Sequence, residues 1–124
     1  DPQNGNLSYI NCGNDPALVI NKDGKVHAEL HPTGAAVGVK TPSTFNVNQI
    51  TLADDDMILA FTDGIPDTQN SHGDFYGNNR LRELITANSA PTELLNRIET
   101  SLNQFIGEAD QFDDITLMAI KRKI

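Results

Sequence analysis

Two short acidic segments hold the side chains best suited to chemistry in this chain. In the first, residues 58–64, Asp63 follows a continuous apolar stretch. In the second, residues 112–120, Asp113 and Asp114 precede another apolar stretch. Each aspartate is placed at the rim of a core, where a charge is costly unless it is paired or coordinates a cation. Because neither segment contains a lysine or arginine, a divalent cation is the natural partner.

The chemistry expected of these carboxylates is metal binding. Carboxylates are hard oxygen donors that suit Mg²⁺ or Mn²⁺. Two unpaired carboxylates ~4 Å apart would repel each other by about 4 kcal/mol at an effective dielectric constant of about 20, and a bound cation removes that cost. Two such ions can hold a phosphoryl group and activate a water molecule. The spacing also allows a structural interpretation, since Asp-Gly is common in turns.

The composition is that of one small globular domain. The chain has 124 residues, of which 38% are hydrophobic, and this length leaves no room for a second domain. No apolar run approaches ~18 residues, so we expect no transmembrane helix. The single Cys12 excludes an intrachain disulfide and favours a reducing, cytoplasmic compartment. The N-terminal residues lack the basic start of a signal peptide, and we expect the chain to be part of a longer protein.

The charge distribution points to one negative site. A net charge of −8 argues against nucleic acid or an anionic membrane as a partner. Residues 51–79 and 98–120 contain acidic residues but no lysine or arginine. If these two stretches meet in space, their carboxylates concentrate in one place. We interpret the run from Asp54 to Asp56 differently, as ordinary solvated acid in a loop.

Hydrophobic periodicity predicts a strand-rich chain with two helices before its last strand. The first helix has Leu81 on its apolar face and Asn78 or Asn79 as its cap. The second helix, residues 91–106, has one apolar stripe and is closed by Gly107. We therefore expect an α+β fold in which a helical pair packs on one outer face of antiparallel sheets. The predicted strands are residues 7–12, 17–21, 26–30, 44–52, 57–62 and 115–120, with a tight turn at residues 22–25.

Motifs along nearly the whole chain occur in an order that resembles one family. They are Asn4-Gly5-x-Leu7-x-Tyr9-x-Asn11-x-Gly13, Asp15-Pro16-Ala17-Leu18-Val19, Thr33-Gly34, Val37-Gly38-Val39, Leu59-Ala60-Phe61-Thr62-Asp63-Gly64-Ile65-x-Asp67, Phe75-Tyr76-Gly77-x-x-Arg80-Leu81 and Gln111-Phe112-Asp113-Asp114-Ile115-Thr116-Leu117. In this order the motifs resemble those of the bacterial metal-dependent serine/threonine phosphatases of the 2C type, in the branch named for the stage II sporulation phosphatase E. The Thr-Asp-Gly and Asp-Asp-Ile-Thr segments are specific together, although neither is specific alone.

The resemblance implies an antiparallel β-sandwich with flanking helices and a binuclear Mn²⁺ or Mg²⁺ centre. By the family pattern, Asp63 and Asp113 are metal ligands, while Asp67, Asp114 and Gly64 support the ligands. The family hydrolyses phosphoserine or phosphothreonine without a covalent phosphoenzyme. The expected partner is a phosphorylated regulatory protein of the anti-sigma-factor antagonist type, as in bacterial stress and sporulation signalling, and the expected location is the cytoplasm.

Two departures from the family pattern bear on activity. The Asp-Gly pair that supplies the remaining metal ligands lies upstream of the point where this chain begins, and Asn14 stands where the family usually has histidine. We therefore expect residues 1–124 to be the C-terminal portion of a catalytic domain, to bind Mn²⁺ weakly and to have little or no activity alone. The alternatives are a non-catalytic phosphatase-like interaction domain and, less well supported, a generic acidic β-rich module with adventitious Ca²⁺ affinity.

Other residues receive more ordinary interpretations. His27 is expected at a surface or strand edge, and Cys12 as a small buried residue. Arg80 is expected to have a structural role, whereas His72 lies in the loop after Thr-Asp-Gly and is a candidate substrate contact. Because part of the sandwich is expected to be missing, exposed strand edges favour a dimer or higher homo-oligomer.

Overall fold

The computed structural model describes residues 1–35, 38, 44–111 and 113–124. Motif residues Val37 and Val39 and the acidic-segment residue Phe112 lie outside the described residues. The elements in chain order are β1 (Asn6–Tyr9), β2 (Ala17–Ile20), β3 (Val26–Leu30), β4 (Asn48–Thr51), β5 (Met57–Phe61), α1 (Gly77–Glu83), α2 (Pro91–Ile106) and β6 (Leu117–Lys121). Among the described residues, no helix combines the length and apolar character that a membrane crossing requires.

The strands form two antiparallel sheets. The larger sheet has the order β3-β2-β5-β6, and the smaller one pairs β1 with β4. In the larger sheet, Leu18 of β2 lies opposite Leu59 of β5, and Phe61 at the end of β5 lies opposite Leu117 at the start of β6. The apolar stretch before Asp63 is therefore a central strand, as predicted, and its C-terminal end lies beside the beginning of β6.

The core lies between one face of the larger sheet and both helices. Every second residue of β5 is buried, and α2 turns a stripe at helical spacing towards the sheet. Burying each such aliphatic side chain contributes roughly 1.5–3 kcal/mol. The buried cluster comprises Leu18, Ile20, Met57, Leu59, Phe61, Ile65, Tyr76, Leu81, Leu94, Ile98 and Leu102. This arrangement confirms the α+β prediction of a helical pair on one outer face of antiparallel strands.

The two helices begin in different ways. Helix α2 starts at Pro91, with Glu93 Oε2 accepting a hydrogen bond from the Ala90 N–H (3.3 Å), and it ends at Gly107 with φ 57°, as predicted. The prediction of Asn78 or Asn79 as the cap of α1 is wrong, because the cap residue is Tyr76 and makes no side-chain cap bond. The N–H groups at this end donate instead to carbonyls of the preceding loop, residues 66–68.

Both strands of the smaller sheet are shorter than predicted. β1 ends at Tyr9 instead of residue 12 because Asn11 organises a turn with its buried side chain. Its Nδ2 donates to the carbonyls of Asn14 (3.1 Å) and Leu30 (2.9 Å). Its Oδ1 accepts from the N–H groups of Gly13 (3.1 Å) and Asn14 (2.9 Å). These bonds compete with strand pairing, and they fix the turn that leads into β2.

The acidic turn before β5 corrects the interpretation of residues 54–56 as solvated acid. Asp56 is only 2% exposed, and its Oδ2 accepts from the Ala53 N–H (2.9 Å) and lies 3.1 Å from Nε2 of His27. The ammonium of Lys123, 2.9 Å from Asp55, lowers the pKa of the Asp55 carboxyl. Only Asp54 is exposed as expected. His27 comes from β3 and Lys123 from the C-terminus, so the local sequence does not reveal either of these two partners.

The second face of the larger sheet is apolar and partly uncovered. Met118 and Ile120 of β6 are 50% and 52% exposed, beside the intermediate positions Ile58 and Ala60 of β5. A groove of about 370 Å³ runs between this face and the end of β1. The sheet therefore has a packed face towards the helices and an open face on the side of the smaller sheet.

Candidate metal centre

The two acidic segments meet at one end of the larger sheet. The pairing of β5 with β6 continues past Phe61, where the Thr62 N–H donates to the Thr116 carbonyl (3.1 Å). In return, the Thr116 N–H donates to Thr62 Oγ1 (3.1 Å). The predicted convergence of these segments is thus present in the backbone. Thr62 and Thr116 thus orient the backbone where the two segments meet.

Gly64 allows the two segments to touch. A Cβ at this position would lie 2.2 Å from the Asp114 carbonyl oxygen and 3.1 Å from its carbonyl carbon. Any side chain would therefore separate the Thr-Asp-Gly turn from the loop that carries Asp113. The family resemblance implies a supporting role for Gly64, and the structure shows a backbone-to-backbone packing contact at this position.

A helical turn after Gly64 returns Asp67 to the same end of the sheet. The Asp67 N–H donates to the Asp63 carbonyl (3.0 Å), and Thr68 Oγ1 donates to the Gly64 carbonyl (2.6 Å). Asp67 and Asp113 both line one groove of about 350 Å³, whose other lining residues are Gly64, Thr68, Gln69 and Phe75. We name it the acidic groove.

The Asp113 carboxylate is oriented by its own loop. Its Oδ1 accepts a hydrogen bond from the Asp114 N–H (2.8 Å), and the Asp113 carbonyl accepts from Gln111 Nε2 (2.8 Å). Asp114 therefore supports this loop through its backbone, with its N–H on Asp113 and its carbonyl against Gly64. Such contacts restrict the carboxylate before any ligand arrives.

Asp15 is a member of this acidic region that the sequence interpretation missed. Partial burial raises the pKa of the Asp15 carboxyl, and the negative charges of Asp63 and Asp67 raise it further. The register of β2 against β5 gives the position of Asp15. Because β2 is antiparallel to β5 with Leu18 opposite Leu59, the residue three positions before Leu18 falls beside Thr62. In the sequence, Asp15 was identified only as part of the Asp15-Pro16-Ala17-Leu18-Val19 motif.

The donors are of the right kind for a hard divalent cation but too few to enclose one. Within the described part of the chain, no three histidine, cysteine or acidic side chains lie close enough together to hold one metal ion. Nor does any lysine, arginine or histidine of that part form an ion pair with Asp63, Asp67 or Asp113. Carboxylate oxygens suit Mg²⁺ or Mn²⁺, and a complete coordination shell needs further ligands.

Arg80 has the structural role that the sequence predicted. Its Nη1 donates to the carbonyls of Phe75 (2.8 Å) and Tyr76 (3.0 Å), and its guanidinium carbon lies 4.6 Å from the centre of the Phe105 ring. Arg80 thus ties the loop before α1 to helix α2. His72, the predicted substrate contact, is exposed in a turn where its N–H donates to Asn70 Oδ1 (2.9 Å).

The chain matches the family described as stage II sporulation protein E over residues 1–123. It is 42% identical over 123 residues to Protein IcfG of Synechocystis sp. (strain ATCC 27184 / PCC 6803 / Kazusa), an alignment that covers 98% of this chain and 19% of IcfG. The chain thus spans about a fifth of the length of this relative.

Solved structures share the fold at lower identity. The SiaA-PP2C domain of Pseudomonas aeruginosa superimposes with a TM-score of 0.76 at 24% identity, covering 93% of this chain and 45% of that one. The Mn-presoaked phosphatase domain of the cell fate determinant SpoIIE from Bacillus subtilis superimposes with a TM-score of 0.71 at 16% identity, covering 100% of this chain and 53% of that one. The described residues therefore form about half of a protein phosphatase 2C-type fold, and the chain belongs to the stage II sporulation protein E family.

Proposed function

We propose that this chain is the C-terminal part of the catalytic domain of a metal-dependent protein serine/threonine phosphatase. The observation that carries the proposal is the hydrogen-bonded meeting of the Thr62 and Thr116 segments, which gathers acidic residues at one end of the sheet. The proposed substrate is phosphoserine or phosphothreonine on a bacterial regulatory protein of the anti-sigma-factor antagonist type. Family membership supports this substrate class.

In this proposal, Asp63 and Asp113 hold Mn²⁺ or Mg²⁺, and Asp67 and Asp15 add negative charge around them. Bound cations would neutralise phosphoryl oxygens and lower the pKa of a water molecule. The solved SpoIIE phosphatase domain was presoaked with Mn, which supports Mn²⁺ as the first ion to test. The remaining ligands of a two-ion centre are expected from a segment upstream of this chain.

The chain's own residues contribute positioning. Gly64 lets the two acidic loops lie in backbone contact, and the Asp114 N–H fixes one carboxylate oxygen of Asp113. Thr68 closes the helical turn that carries Asp67. Placing carboxylates close together costs free energy during folding, and cation binding recovers that cost. These contacts position part of a ligand set before an ion binds.

A second candidate function is a non-catalytic interaction domain of phosphatase-like fold. The observation that favours it is the lack, within the described ranges, of any three acidic, histidine or cysteine side chains able to share one ion. The presence of Asn14 where the family usually has histidine also favours a non-catalytic domain. The retention of Asp63 and Asp113 in their full motif context argues against this alternative.

Calorimetric titration with Mn²⁺ tests the proposal. We expect weak, saturable heat from the 124-residue chain and its loss in Asp63→Asn. The matched control is Asp23→Asn, because Asp23 is an exposed acidic residue in the β2–β3 turn and its replacement should leave the heat unchanged. Identical traces for wild type and Asp63→Asn would favour the interaction domain.

Hydrolysis of p-nitrophenyl phosphate gives a second readout. The full-length protein is expected to turn over this substrate in a Mn²⁺-dependent manner, whereas the 124-residue chain is expected to show little or none, since two carboxylates cannot fix two ions. Robust turnover by the chain alone would refute the ligand-count argument. A full-length protein with neither Mn²⁺ heat nor turnover would refute the phosphatase assignment.

A further inference from the structure

An exposed aromatic ring stands at the acidic groove. Phe75 is 57% exposed and lines the same space as Asp67 and Asp113. A single exposed aromatic residue is ordinary on a protein surface. This one is distinguished by its place, because it adds an apolar surface to a groove that is also lined by two carboxylates.

The backbone around Phe75 is held firmly while its ring is left free. Phe75 pairs with Gln69 in an isolated β-bridge, and its carbonyl accepts from Arg80 Nη1. The next residue, Tyr76, is 2% exposed and bonds through its hydroxyl to Ser101 Oγ of α2 (2.7 Å). The position of the exposed ring is therefore set by contacts that bury its neighbours, and a ligand that packs on it would spend little free energy on ordering the loop.

The groove fits a phosphorylated peptide segment better than a free phosphate. Its volume of about 350 Å³ exceeds what a phosphoryl group alone would fill. A phosphate held through cations at Asp113 would leave room in the same groove for neighbouring substrate residues, and Phe75 lines that room. The acidic walls would repel an aspartate or glutamate there, whereas an aliphatic side chain would gain apolar contact with the ring.

We propose that Phe75 is a specificity-determining residue that packs against an apolar side chain flanking the phosphoserine or phosphothreonine of the substrate. This inference rests on the proposed phosphatase function and deepens it. It concerns the recognition of residues beside the phosphate and assigns Phe75 no part in the hydrolysis itself.

Binding of non-hydrolysable peptides to the full-length protein tests this role without turnover. The probes are two fluorescein-labelled peptides with a phosphonate analogue of phosphoserine, one flanked by leucine on both sides and the other by glycine. In the presence of Mn²⁺, fluorescence anisotropy should show about five- to tenfold tighter binding of the leucine peptide, the gain expected from covering roughly half of a phenylalanine side chain and its aliphatic partner.

Variants assign the preference to the ring. Phe75→Ala should remove most of the preference for leucine, while Phe75→Leu, which keeps an apolar surface, should retain about half of it or more. The matched control is Val47→Ala, because Val47 is 60% exposed but lies outside the acidic groove. Mn²⁺ calorimetry should be unchanged in Phe75→Ala, because the phenyl ring supplies no metal ligand.

The outcomes separate this inference from the proposed function. An unchanged leucine preference in Phe75→Ala, or an equal loss in Val47→Ala, would overturn the role of Phe75 while leaving the phosphatase assignment intact. Failure of the full-length protein to bind Mn²⁺, bind either peptide or hydrolyse p-nitrophenyl phosphate would refute both proposals together.

Discussion

Gly64→Ala should separate the two acidic loops by a distance that the structure sets. The new Cβ would lie 2.2 Å from the Asp114 carbonyl oxygen, and Cβ contacts below 3.0 Å essentially never occur, so one loop must move by at least about 0.8 Å. The φ of Gly64 lies outside the left-handed region, which leaves crowding as the main cost. Overpacking of this kind costs about 1–3 kcal/mol, or a fall in Tm of about 4–12 °C for a domain of this size.

The same displacement should disturb metal binding more than stability. Changes to groups that orient metal ligands typically weaken binding by about 10–100-fold, and we expect at least about a tenfold loss of Mn²⁺ affinity by calorimetry. Gly73→Ala is the control, because Gly73 has φ +80° but no atom within 4 Å of its added Cβ. It should cost about 1–2 kcal/mol of backbone strain and leave Mn²⁺ binding intact.

Three results for Gly64→Ala would refute the reasoning. Wild-type Tm would mean that the two loops do not pack as described. Lower Tm with unchanged Mn²⁺ affinity would mean that their spacing does not control the metal centre. Equal loss of Mn²⁺ affinity in Gly73→Ala would mean that general destabilisation, and not the contact with Asp114, causes the effect.

Three further predictions concern the surroundings of the site. Because the pKa of Asp15 is raised in the fold, its ionised form destabilises the native state; Asp15→Asn should raise Tm at pH 7, and the gain should vanish as the pH falls below the ordinary value of 3.8, whereas a pH-independent gain would contradict this cause. Asp56→Ala should cost about 1–3 kcal/mol in urea unfolding, since it leaves the Ala53 N–H unpaired, and a neutral effect would contradict the burial of this turn. Light scattering should detect a dimer or larger species of the 124-residue chain through the open face at Met118 and Ile120, and a clean monomer at high concentration would contradict it.

Much of the fold followed from local signals. The stripe of α2, with Pro91 at its start and Gly107 at its end, specifies a helix and its buried face without any tertiary information. The continuous apolar run of β5 indicated an inner strand, and β5 lies between β2 and β6 in the larger sheet. Strand length was predicted less well, since the side chain of Asn11 ends β1 through bonds to Leu30, a residue far along the chain.

The sequence motifs predicted where the candidate site lies, but they did not predict all of the acidic residues around it. Asp63 and Asp113 were identified from the apolar strands that they flank, and the pairing of β5 with β6 brings those segments together. Asp15 was missed because its place depends on the register of β2 against β5, which periodicity does not specify. Asp56 was misjudged for the same reason, as its partner His27 comes from another strand.

Two groups of acidic residues, the turn before β5 and the acidic region around Asp15, lie in different electrostatic surroundings. Asp55 forms an ion pair with Lys123, which lowers the pKa of the Asp55 carboxyl, and Asp56 accepts a hydrogen bond from the Ala53 N–H. In the acidic region, by contrast, partial burial raises the pKa of Asp15, and the negative charges of Asp63 and Asp67 raise it further. Lys123 pairs with Asp55, whereas no ion pair among the described residues involves Asp15, Asp63 or Asp67. Asp63, Asp67 and Asp113 are exposed carboxylates at one end of the sheet, a donor type that a hard divalent cation prefers, and this is the physical reason to seek one there.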